Sequence, residues 1–448
     1  MLAAAVVAAL LSLALVAPAP SYDPWAWLLW GRELAAGELS TLEGPAFKPL
    51  PVAVCALLAP FGGAAPWLWV LLVRVAAVLA VLLAYELGRA LADGSRVAGA
   101  LAAAALLLCA GLASYTAAGA EPALVLALAL GAAVAWRARR MRIALACAVG
   151  CALLRVEAWP FVALAGLALW RSRPQDRRLL AALAAGVPAA WLVPELIGSG
   201  ELLRSAVRAR VPNPGQPALE AVPGAAALGA AAALPLWPLW PGIAALVAIA
   251  WRGRERAAGA DARAALVLAA AGAAWIALVA LMAQAGFSGE PRYALPGAAL
   301  IAFAGAIGLS RAARALGSGA TITVVVLVAL AAAPRLAALP ELRSVQEHQW
   351  RLAGDLAGAV AAAGGAEAVL ACGRPYVGRM RGPLMAYRLG VAKHVVEPDE
   401  PPRAPGIVFR SALAAGSAPA PASPSPFTQV ARVGTWSVLA ACRTRPMS

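Results

Sequence analysis

The sequence predicts an all-α polytopic membrane bundle of about 11 transmembrane helices, closed at its C-terminus by a small extracytoplasmic α/β domain. Three observations carry that expectation. Hydrophobic residues make up 62% of the 448 and charged residues 13%, whereas soluble globular chains carry roughly a quarter charged residues. Apolar runs of near-spanning length follow one another up to residue 337. Beyond that point the pattern turns mixed and polar. The formal net charge of +15 does not point to nucleic acid, because most of it sits in short arginine clusters between apolar runs.

Taken in order, the apolar runs fall at 2–19, 67–87, 97–114, 122–136, 144–156, 159–172, 180–196, 230–250, 264–285, 295–310 and 320–337. The first ends in VAPAPS, which resembles a small-residue cleavage site, yet it lacks a basic n-region and is read as a retained span. Between the first two runs, a loop at about 19–66 holds two further elements. Residues 24–39, with Trp25, Trp27, Trp30, Arg32 and Glu33, suit an amphipathic helix lying in the interface. Residues 49–62 form an apolar run too short to span and bounded by prolines, hence re-entrant or interfacial. The Ala- and Gly-rich composition of the spans allows close helix packing. The membrane domain is therefore 1–338 and the tail 339–448, in which a helix near 341–363, strands near 367–371, 406–410 and 434–441, and a Pro/Ala/Ser loop at 417–425 are expected.

Arginine placement sets the orientation. Arg137, Arg139, Arg140 and Arg142 crowd one loop, Arg171, Arg173, Arg177 and Arg178 a second, and Arg252, Arg254, Arg256 and Arg263 a third. These loops are expected on the cytoplasmic side. Counting faces from there leaves the N-terminus inside, and the 19–66 loop and the C-terminal domain outside. The chain is then a multi-pass protein of the plasma or inner membrane.

Several chemistries are excluded. Only His348 and His394 occur, both in the tail, so histidine-ligated zinc and Ser-His or Cys-His catalysis have no footing in the bundle. No phosphate-binding glycine fingerprint stands between a strand and a helix. Cys55, Cys109, Cys147 and Cys151 lie in apolar runs, where a thiol behaves as a small hydrophobe; Cys372 and Cys442 are the two in the tail, read either as a disulfide or as two unpaired thiols.

What remains is a set of ionisable residues at the outward ends of spans: Asp23 in YDPWAW (22–27), Lys48 in FKPLP (47–51), Glu121 in AEPAL (120–124), Arg155 and Glu157 in LRVEAWPF (154–161), and Glu290 and Arg292 in GEPRYALP (289–296). Ionisable groups at a membrane are costly and point to function; together they supply a base and cations for a phosphate. Each also has a plain structural reading. Glu121 suits a helix N-terminus, Arg155 and Glu157 suit a local pair, Glu290 and Arg292 suit loop solvation, and Lys48 suits snorkelling. Lys48 stands out because the 37 basic residues include only two lysines, Lys48 and Lys393, and a compact point charge suits a phosphate. Arg74, seven residues into a span, is read as a buried partner for one of the acids or as a snorkelling side chain.

YDPWAW, GRELAAGEL (31–39), FKPLPV (47–52), the Glu121 connection, RVEAWPF (155–161) and PRYALP (291–296) together resemble integral-membrane glycosyltransferases of the GT-C superfamily, in the branch of the protein mannosyltransferases and lipid A aminoarabinose transferases. The resemblance covers roughly residues 1–340. It implies a polyprenyl-phosphate-linked sugar as donor and an extracytoplasmic lipid, glycan or protein acceptor. Asp23 is then the catalytic acid of the first loop, Glu121 the second acid, and Lys48 and Arg292 the phosphate contacts. Pro24 follows Asp23 where the mannosyltransferases carry an Asp-Glu pair. The family's divalent cation would fall to Asp23 and Glu121 as oxygen ligands, favouring magnesium or manganese. Two other readings stand beside this one: a secondary transporter, which would hold its charges near the bilayer midplane, and a non-catalytic assembly factor of the cell envelope.

Overall fold

The computed structural model describes residues 1–253, 257–397, 401–422 and 425–442. In chain order the helices are α1 (Leu2–Leu15), α2 (Tyr22–Ala36), α3 (Pro49–Leu58), α4 (Ala65–Ala90), α5 (Arg96–Leu107), α6 (Leu112–Ala117), α7 (Pro122–Arg137), α8 (Met141–Leu154), α9 (Trp159–Ser172), α10 (Arg177–Ser199), α11 (Arg204–Arg208), α12 (Pro223–Ala232), α13 (Trp240–Arg252), α14 (Ala257–Gln284), α15 (Pro291–Leu316), α16 (Ser318–Ala337), α17 (Leu339–Ala362), α18 (Gly365–Cys372) and α19 (Gly382–Leu389). The strands are β1 (Arg374–Tyr376), β2 (Gly406–Arg410), β3 (Thr428–Val433) and β4 (Trp436–Ala441).

Every one of the expected apolar runs holds a helix, and the chain is a multi-pass membrane protein. Length and apolarity sufficient to cross on their own are met by five helical stretches among the described residues, or six if α12 and α13, bent by 88°, count as one. The rest are short. The 16 residues of α7 reach about 24 Å, less than the ~30 Å of a hydrocarbon core. The expected α3 segment is indeed too short alone: ten residues long, it ends in a 3-10 turn where Gly62 takes φ 53°.

The centre of the bundle is α15, with 89% of its apolar window buried. Glycines let its neighbours close on it: a Cβ at Gly305 or Gly308 would run into the backbone of Leu239 or Gly242, and one at Gly297 into that of Gly272. Such small-residue contacts let packing hold helices together where lipid removes the hydrophobic drive.

One end of the bundle gathers the arginine loops. Arg137 pairs with Asp261 at 2.9 Å, Arg142 with Asp176 at 3.0 Å, and Arg314 with Asp93 at 3.3 Å. Arg254 and Arg256 lie outside the described residues. At the other end sits the C-terminal domain, its sheet in the order β1-β2-β4-β3, with β1 and β2 parallel and the other pairs antiparallel. It docks on α2 and the loop after it: Arg32 Nη1 donates to the Tyr387 carbonyl at 2.8 Å, the tilted rings of Trp25 and Tyr387 meet at 5.4 Å between centres, and Lys393 pairs with Glu43. Cys372 and Cys442 are joined as a disulfide.

Two expectations for the tail need correction. Residues 367–371 lie in a helix, α18, because EAVLA is too short for periodicity to choose and its alanines favour helix. Strand β3, TQVARV, was not anticipated; it is an edge strand, largely exposed, so no apolar alternation marks it. Of the expected loop at 417–425, Ser423 and Pro424 lie outside the described residues.

Candidate active site

The end of the bundle that carries the C-terminal domain encloses a cavity of about 1410 Å³. Its charged wall is assembled from helix termini that are far apart in sequence. Asp23 stands in the first turn of α2, Lys48 caps α3, Glu121 caps α7, Arg155 ends α8, Glu290 caps α15 and Arg292 follows in its first turn. All are helix ends, which the fold gathers around one cavity.

Asp23, Lys48, Arg155, Glu157, Glu290 and Arg292 all line the cavity. Arg292 Nη2 donates to Asp23 Oδ2 at 2.7 Å, and its Nε lies 3.1 Å from Glu290 Oε2. Lys48 Nζ donates to Glu121 Oε1, and Arg155 Nη1 reaches the same oxygen at 3.1 Å. Arg155 also forks onto both oxygens of Glu157, with Nε to Oε2 at 3.0 Å. Burial pushes the Lys48 ammonium below its ordinary pKa, against the pull of Glu121.

Glu121 is placed differently from the expectation. It is 1% exposed and does not line the cavity; it lies behind Lys48 and Arg155 as their counter-charge, with Oε2 lacking a partner among the described residues. That position removes it as a proton acceptor for anything in the cavity. It also speaks against the expected cation site. Asp23 is bonded to Arg292 and Glu121 to Lys48 and Arg155, and no group of three or more His, Cys, Asp or Glu able to hold a metal occurs among the described residues. The donor set does not fit a divalent cation, and no step is routed through one. Arg74 is likewise elsewhere: it donates to Ser12 Oγ at 3.3 Å and to the Ala17 carbonyl at 3.2 Å, holding the end of α1 against α4.

Sequence reading missed the aromatic and polar supports of this wall. Tyr293 lies under three cations: the Arg155 guanidinium sits 3.7 Å, that of Arg292 5.0 Å and the Lys48 ammonium 6.0 Å from its ring centre. Trp27 takes the Lys48 ammonium at 5.1 Å. A negative ring face lowers the cost of crowding like charges. Both residues stand inside quoted motifs, next to Arg292 and four residues after Asp23, so adjacency was the available signal. The Lys48 loop is tied down by α11: Arg204 donates to the carbonyls of Pro45 at 2.7 Å and Gly44 at 3.0 Å, while the Phe47 amide donates to Ser205 Oγ at 2.6 Å. Ser205 in turn donates to buried Glu195.

Much of the remaining lining is apolar, with Trp191 and Leu192 of α10, Val279 and Met282 of α14, and Leu203 just before α11. Leu203 is 59% exposed, so this apolar surface continues from the cavity onto the outside of the bundle. The roof comes from the C-terminal domain, through α17 and the loop before α19.

A charged cavity at one end of a polytopic helical bundle, roofed by a small α/β domain, is a fold that a solved membrane protein shares. The solved structure that carries this comparison is ArnT from Cupriavidus metallidurans bound to undecaprenyl phosphate, with 14% identity and a TM-score of 0.51 over 98% of this chain and 97% of that one. ArnT from the same organism in the apo state gives 17% identity and a TM-score of 0.47 over 93% of each chain. The first of these likenesses shows the fold. No protein-family model and no curated protein sequence matches the chain.

Proposed function

We propose that the protein is a glycosyltransferase that moves a sugar from a polyprenyl-phosphate donor to an acceptor hydroxyl on the extracytoplasmic side of the membrane. The observation that carries this is the cavity itself, whose lining joins Asp23, Lys48 and Arg292 to apolar side chains that include the exposed Leu203. A prenyl chain suits the apolar wall, and its phosphate suits the cations. The ArnT fold, solved with undecaprenyl phosphate, supports the same donor class. Arginine loops gathered at the opposite end, together with a disulfide in the C-terminal domain, support an extracytoplasmic position for the site.

In this reading the acceptor oxygen attacks the anomeric carbon while the bond from that carbon to the phosphate oxygen breaks. The leaving electron pair goes to the phosphate, where Lys48 and Arg292 balance the growing charge. The hydroxyl proton goes to the Asp23 carboxylate, which Arg292 orients. Direct displacement inverts the sugar carbon. Glu121 serves by holding Lys48 and Arg155 in place and not as a base.

Asp23→Asn is expected to lower transfer by about 10²- to 10⁴-fold, the usual range for losing a general base, while the variant still inserts into membranes and binds undecaprenyl phosphate. The assay is turnover of polyprenyl-linked sugars by purified protein. Turnover equal to the parent's removes Asp23 from the mechanism.

A further inference from the structure

The roof of the cavity carries a polar wall that the donor reading leaves unused. Leu342, Val345, Gln346 and Gln349 of α17 line the cavity, at the i, i+3, i+4, i+7 spacing of one helix face. Gln346 is 5% exposed, and its Oε1 has no hydrogen-bond partner among the described residues. A buried amide oxygen without a donor is costly, and such exceptions in folded proteins call for a partner.

The same cavity is lined by Arg379, whose Nη2 donates to Asn213 Oδ1 at 3.0 Å, and by Gln216, whose Nε2 donates to Glu290 Oε2 at 3.5 Å. The loop bearing Arg379 is held in an unfavourable conformation. Met380, next in the chain, has φ 68°, a left-handed value that side chains with a Cβ rarely take. Arg381 holds it there, buried and donating to the Ser411 carbonyl at 2.6 Å and the Ala420 carbonyl at 3.4 Å.

We propose that this roof is the acceptor subsite and that it receives a neutral, hydroxyl-bearing carbohydrate. The Gln346 oxygen asks for a hydrogen-bond donor, which excludes a carboxylate or phosphate oxygen at that point. Arg379 and the Gln216 amide, which line the same cavity, offer N–H groups. Neighbouring sugar hydroxyls both donate and accept, so one ring satisfies both kinds of partner. The inference rests on the donor reading in one respect: the sugar acceptor must reach a donor held on the charged wall.

The test uses the full chain in lipid nanodiscs with saturation-transfer NMR, the probes being methyl hexosides and a threonine-containing peptide of similar mass. Undecaprenyl phosphate binding is followed separately by tryptophan fluorescence. Hexosides are expected to bind, and Gln346→Leu to weaken them about tenfold, the order of one hydrogen bond. Arg379→Ala, at an exposed position that folding does not depend on, is expected to weaken them severalfold. Both variants should bind undecaprenyl phosphate as the parent does. A hexoside response unchanged in both variants, or a peptide that binds in preference, overturns the subsite. A parent protein that binds hexosides through Gln346 but not undecaprenyl phosphate keeps the subsite and overturns the donor reading.

Discussion

The two ends of the bundle are both rich in charge and use it in opposite ways. At the arginine-loop end the cations of the loops stay in water, with the Arg142 side chain 74% exposed in its pair with Asp176 and Arg137 46% exposed in its pair with Asp261, and only Arg311 of α15 among those described there is buried against Asp93. At the other end Lys48, Glu121, Arg155 and Glu157 are each below 10% exposed and share one network. The same residue types thus mark topology at one face and build a site at the other. Burial makes the difference, because a charge removed from water must be matched locally or it destabilises the fold.

The contrast makes graded predictions. Glu121→Gln leaves Lys48 and Arg155 short of a counter-charge in a buried place, and is expected to cost about 3–5 kcal/mol. Detergent-solubilised thermal unfolding would read this as a large fall in midpoint. An unaltered midpoint would mean that water reaches the network and that the two ends differ less than their exposure implies.

A smaller effect is expected at Glu33, on α2, where burial raises the carboxyl from 4.5 to about 7 against the Ser40 amide, which donates to Oε2 at 3.0 Å. The folded protein then holds this proton more tightly than the unfolded chain. Its contribution to stability is full below pH 4.5, declines between there and about pH 7, and is absent above. Glu33→Gln should flatten that part of the stability profile, measured as unfolding midpoint from pH 4.5 to 8; a profile that keeps its slope points to other groups. Smallest of all, Arg142→Ala at the opposite face should change stability by about 0–1 kcal/mol, as exposed pairs usually do. A loss several times larger would show the arginine loops to be structural.

Sequence reading reached the helical bundle, the small C-terminal domain and the placing of the charged residues at helix ends, because hydropathy reports where apolar helices start and stop. It did not reach azimuth. Asp23, Lys48, Arg155 and Arg292 were expected at the outer ends of spans, and the fold brings them around one cavity. Nothing in AEPAL says that Glu121 turns behind Lys48 instead of into the opening, and Arg74 has the right depth to serve the acids but faces α1. Gln346 was invisible for a different reason. A single glutamine on a polar-looking helix has no signature until its oxygen is seen buried and unpaired.

Helices α16 and α17 run on as one stretch of 45 residues, from Ser318 to Ala362. At 1.5 Å per residue that is about 68 Å of helix, more than twice the ~30 Å thickness of a hydrocarbon core, with its joint at Ala338 between Pro334 and Pro340. Gln346 stands eight residues past that joint, so the ceiling of the cavity is carried by the same helical stretch that begins at Ser318 in the bundle.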